Sequence, residues 1–106
     1  MKKIILTFMI GILSFVSFSD TYMEDHIEDM LERKYNWISD GSNHIELDFD
    51  VHEDRNSLSV IVSVDDDSYP AKKSFKESTF NNYVKEIEKT VKNEVKDKNV
   101  TIKSYF

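Results

Sequence analysis

The chain has no cysteine, one proline, two glycines and a single tryptophan among its 106 residues. Without cysteine there is no disulfide framework, no thiol nucleophile, no zinc ribbon and no lipid-bearing cysteine of the bacterial lipoprotein kind. Beyond residue 20 the only glycine is Gly41. No glycine-rich loop can therefore cradle a phosphate, and no Gly-x-Ser-x-Gly elbow can expose a nucleophile. The length holds one small domain and excludes a multidomain enzyme. What is present suits a folded core: seven Phe, five Tyr and 40% apolar residues, with 32% charged.

The N-terminus has the layout of a secretory signal peptide. Lys2-Lys3 precede an apolar run from Ile4 to Phe18, and Ser17 and Ser19 stand three and one places before Asp20. The run is short for a bilayer span of about 20 residues, so cleavage is expected after Ser19, leaving 20–106 as one exported domain. A retained N-terminal anchor is the alternative. Either way the domain is expected outside the cytoplasmic membrane, periplasmic or secreted, with no transmembrane segment after cleavage.

Cleavage would remove two lysines and no acid, taking the formal charge from −6 to −8. The charge is uneven along the chain. Residues 20–70 carry 15 acids and three bases, whereas residues 71–106 carry five acids and nine lysines. The acidic part repels nucleic acid and anionic lipid and steers cations toward itself. The same imbalance also serves solubility.

Apolar Met23, Ile27, Met30, Leu31 and Ile38 recur at helical spacing and predict a helix over Tyr22–Ile38, ended by Asp40-Gly41-Ser42-Asn43, with Trp37 closing the core. Ile45, Leu47, Phe49 and Val51 then alternate with polar residues, as do Leu58, Val60, Val62 and Val64, predicting a hairpin. Pairing Val51 with Leu58 puts all four apolar pairs on one face. Asp65 to Lys73 reads as an exposed loop. Ser74 and Glu77 have capping-box spacing before the stripe Phe80, Val84, Ile87, Val91 and Val95, and Val100 and Ile102 open a closing strand. The expected fold is therefore α+β in the order α-β-β-α-β. Two helices pack on one face of a three-stranded antiparallel sheet of order 2-1-3, the last strand beside the first.

Candidate chemistry lies on the polar parity of the first strand: His44, Glu46, Asp48, Asp50 and His52. Neighbours two apart on a strand point the same way, so Asp48, Asp50 and His52 are the candidate metal ligands. Any solvated strand face shows the same alternation, and the expected register supplies no third strong ligand. Asp65-Asp66-Asp67 fails the spacing of an EF-hand loop. Exposed acids lack the desolvation that tunes a general acid, so no catalytic residue and no cofactor is expected. Trp37, Ile61, Tyr69 and Tyr105 are the candidate contact residues.

The alternating strands 45–51 and 58–64 and the passage from Val91 to Ile102, behind a signal peptide, resemble the BON domains, small modules of bacterial envelope proteins. Asn56 and Asn99-Val100 stand where that family has a hairpin glycine and a Gly-Val pair. The resemblance implies binding to phospholipid surfaces or other envelope components. The expected function is a non-enzymatic binding module of the cell envelope with a protein or envelope component as partner and no nucleic acid. The alternatives are a divalent-cation binder or metal-dependent enzyme, and an acidic inhibitor or immunity-type protein.

Overall fold

The computed structural model describes residues 16–106, with side chains from residue 22 onward. The elements are α1 (Val16–Tyr35), β1 (Trp37–Ser39), β2 (His44–Glu53), β3 (Ser57–Val64), a 3-10 turn (Asp66–Ser68), α2 (Tyr69–Lys72), α3 (Glu77–Glu94) and β4 (Asn99–Tyr105). The protein is a mixed α+β fold with a four-stranded sheet. The signal peptide expected over residues 1–19 lies outside the described residues, apart from the helical backbone of 16–19.

Helix α1 buries Ile27, Met30, Leu31 and Tyr35 and exposes Asp25, Asp29 and Glu32, as its periodicity predicts. It stops at Tyr35 and does not reach Ile38. Asn36 makes the last helical bond through its amide to Glu32, while its carbonyl accepts the Leu47 amide at 2.8 Å. The sheet thus captures the chain, and Trp37–Ser39 become β1, a fourth strand. Asp40–Asn43 accordingly forms a hairpin loop and not a helix end. Gly41 there has φ +98°, a left-handed conformation that favours glycine. The Asp40 carboxylate accepts the amides of Ser42 and Asn43 at 2.9 and 2.7 Å, and its other oxygen accepts the Lys76 amide at 3.0 Å. These bonds hold its pKa down to about 2.

Strands β2 and β3 form the expected hairpin with a register two residues away from the expected one. Val51 faces Val60, Phe49 faces Val62, Leu47 faces Val64, and the ladder continues to Glu53 with Leu58. A two-residue slip preserves parity, so the apolar residues still share one face. The turn is tighter than expected, closed by the Asp54 amide on the Ser57 carbonyl at 2.8 Å.

The three-stranded order 2-1-3 is corrected. The sheet runs β1-β2-β3-β4, with β4 parallel to β3 and the other pairs antiparallel. The β2 flank is taken at its start by β1, and at its end the Glu24 carboxylate of α1 accepts the Glu53 amide at 2.8 Å. The chain leaving α3 therefore completes a β-α-β crossover onto β3, which demands a parallel strand.

The segment expected as a loop folds as a 3-10 turn and α2. Its buried Ser68 hydroxyl accepts the Glu46 amide at 2.8 Å, and the Asp65 amide donates to the Glu46 carbonyl at 2.9 Å. Ser74 does not cap α3. The cap position is Lys76, whose amide Asp40 holds. Helix α3 buries Phe80, Ile87 and Val91, with Val95 buried just beyond it.

Both long helices cover the same sheet face. The Tyr35 hydroxyl lies 3.0 Å from that of Thr90, and His26 Nε2 lies 2.9 Å from a Glu94 carboxylate oxygen. Between the layers lie Ile45, Leu47, Leu58, Val60 and Val62, each fully buried and each contributing about 1.5–3 kcal/mol by leaving water. Phe106 closes one end against Phe80, ring centroids 4.9 Å apart.

Candidate functional site

The sheet face away from the helices follows from strand parity. Register sets Trp37 beside Glu46 in one row, then Asp48, Ser63 and Tyr105 in the next, then Asp50, Ile61 and Lys103, then His52, Ser59 and Thr101. Trp37 and Tyr105 are each 59% exposed and Tyr69 is 50% exposed. Trp37 therefore does not close the core; its partner Glu46 shows that it stands on the open face. Ile61 is half-buried at the centre of that face. A fourth exposed aromatic, Tyr22, belongs to α1 and stacks on His26 at 5.6 Å.

The three proposed metal ligands are not drawn together. Asp48 lies near Asp65: burial and the charge of the Asp65 carboxylate push its pKa up, and Glu46 and Asp66 add to the repulsion. His52 lies at the hairpin end, with Nε2 3.3 Å from Asp54 and Nδ1 3.8 Å from Glu24. Asp50 lies near enough to α1 to help raise the pKa of Glu28, where burial is the larger cause. Among the described residues no three His, Asp or Glu side chains are grouped to hold a metal ion.

What gathers instead is a set of acids at the Trp37 end. Asp65 and Asp66 arrive there because the backbone of residues 65–68 is stitched to Glu46 by the bonds described above. Asp65 also caps the 3-10 turn, accepting the Asp67 amide at 3.0 Å. The charge of the nearby Asp66 carboxylate pushes the pKa of the Tyr69 hydroxyl up. Among the described residues, none of Glu46, Asp48, Asp50, Asp65 and Asp66 forms an ion pair. The nearby base, Lys72, sits over the Tyr69 ring at 5.1 Å and the Phe106 ring at 5.5 Å.

The sequence flagged Asp65–Asp67 only as a failed calcium loop. Distance along the chain could not show that this run folds back beside Glu46.

The far end of the sheet carries a different feature. The Glu53 side chain is 3% exposed and pairs through Oε2 with Lys98 Nζ at 3.0 Å, while Oε1 is buried without a hydrogen-bond partner. Lys98 also donates to the carbonyls of Asp54 and Arg55 at 3.0 and 2.9 Å. One ammonium thus ties the β2–β3 turn to the start of β4. Beside it is an open hollow of about 420 Å³ lined by Lys92, Val95, Lys96, Lys98, Asn99 and Val100.

No family model, curated protein or solved structure matches the chain. The resemblance to the BON domains thus rests only on the two alternating strands and the passage from Val91 to Ile102.

Proposed function

We propose that the protein is an exported, non-enzymatic binding module of the bacterial cell envelope, periplasmic or secreted, that engages its partner through the open face of the sheet. The observation that supports this reading is the exposure of Trp37 and Tyr105 on the sheet face that carries half-buried Ile61 and that neither long helix covers. Large rings left in water are where contact energy concentrates when a partner excludes that water. The acids here sit on an open surface and, among the described residues, are not grouped as a metal-ligand set. Export rests on Lys2-Lys3, the apolar run and the serines before Asp20.

A photoreactive side chain placed at Ile61, and a control at exposed Lys89 on α3, test the reading in the envelope fraction of the native host. The expected result is an adduct from position 61 that excess unlabelled protein competes away, with none from position 89. Equal labelling from both positions, or none from either, overturns the reading. Intact mass of the exported form is expected to correspond to a chain beginning at Asp20.

A further inference from the structure

We infer that the partner received by this face is a cationic polypeptide segment, its lysine or arginine heads entering among Asp48, Asp65 and Asp66 and its side-chain stems lying on Trp37 and Tyr69. This rests on the reading of the open face as the binding surface and adds the chemistry of what binds there.

Three features meet at that end of the face. The first is the unpartnered sheet surface itself, with exposed Trp37 beside Glu46 in its first row and exposed Tyr69 of α2 near Asp66. Aromatic faces attract ammonium and guanidinium groups. Lys72, seated over Tyr69, shows that geometry within the molecule. The second is charge complementarity. Five carboxylates gather at this end against two bases, Lys103, two strands across from Asp50, and Lys72, seated over Tyr69.

The third is that the fold leaves these acids in mutual repulsion. Asp48 lies against Asp65 with no cation from α1, α3 or the neighbouring strands paired to either, among the described residues. An incoming cation removes that repulsion and binds more strongly for it. The acids are spread along a strand and a turn, which matches several charges along a chain better than one compact ion. Nucleic acid and anionic lipid are repelled by the same field.

Trp37 is the single tryptophan of the chain, so its fluorescence reports on this site alone. The protein, purified as the cell exports it, is titrated with a ten-residue peptide of alternating lysine and serine, and with a glutamate-serine peptide as control. The expected result is a saturable change with the lysine peptide only. The pair Asp48→Asn/Asp66→Asn is expected to weaken binding about tenfold, whereas Asp25→Asn/Asp29→Asn, an equal charge change on exposed α1 positions, weakens it less than about twofold.

Equal weakening by both pairs would reduce the effect to net charge and overturn the inference, as would binding of the glutamate peptide. A fluorescence change that follows protein concentration without peptide would make the occupant a second copy and also overturn it. The inference fails separately from the reading it rests on if the adduct from position 61 persists undiminished in the Asp48→Asn/Asp66→Asn variant.

Discussion

The two ends of the sheet treat negative charge in opposite ways. At the hairpin end a carboxylate is taken out of water and answered: Glu53 is buried against Lys98, and Lys98 satisfies two turn carbonyls as well. At the Trp37 end Asp48, Asp65 and Asp66 crowd together and, among the described residues, none of them forms an ion pair. The first arrangement costs desolvation of two ions and returns a fixed geometry between β2, β3 and β4. The second leaves a repulsion that folding does not relieve. A charge that is paired internally belongs to the fold, and a charge left unpaired beside exposed rings is available to something else.

The largest test of this contrast is Lys98→Met. It strands the Glu53 carboxylate and two carbonyls, and a loss of about 3 kcal/mol in unfolding free energy is expected from urea titration. Glu53→Leu/Lys98→Met is expected to regain most of that loss, since an apolar pair leaves no buried charge. A single-variant loss below about 0.5 kcal/mol would place the pair among ordinary surface bridges and erase the contrast.

A smaller effect is expected at Asp40. Its pKa is held down to about 2, so its contribution is present above the ordinary carboxylate value of 3.8 and is lost as pH falls toward about 2. Asp40→Asn should flatten that part of the stability-pH curve, measured by thermal melting across the window. An unchanged slope would show that the loop does not depend on the charge.

The smallest effect carries the opposite sign. Asp48 has a raised pKa, so its neutral form favours the fold: that stability is present below the ordinary carboxylate range and lost as pH rises through its folded value. Asp48→Asn should therefore leave stability at pH 7 unchanged or raised by up to about 0.5 kcal/mol. A clear loss would mean that its carboxylate has a structural partner and that the two ends are alike.

Periodicity made much of this legible. The helical stripes of α1 and α3 and the alternation of β2 and β3 place the buried residues from Ile27 to Val95, because burial on one face is written directly into residue spacing. Strand β1 was not legible, since three residues cannot display a period and Ile38 fits the helical stripe equally well. Register was legible only modulo two, because face assignment is blind to even slips; the turn closure by Asp54 and Ser57 decides it.

The position of β4 depends on which flank of β2 is already occupied, a tertiary fact with no local signature. Trp37, Ile61, Tyr69 and Tyr105 are expected contacts from the sequence, and of these the structure leaves Trp37, Tyr69 and Tyr105 exposed. The meeting of Asp48 with Asp65 was not legible, because it arises from a hydroxyl, Ser68, holding the Glu46 amide across the sheet end.

Strand β1 has a further consequence for how copies of this molecule can meet. At one margin of the sheet a three-residue strand and the Glu24 carboxylate occupy the flank of β2, while at the other β4 presents seven residues along the outer margin. Margins of such unequal length cannot template one another repeatedly. Backbone pairing between molecules through β4 would stop at two, so the asymmetry works against growth into a fibre.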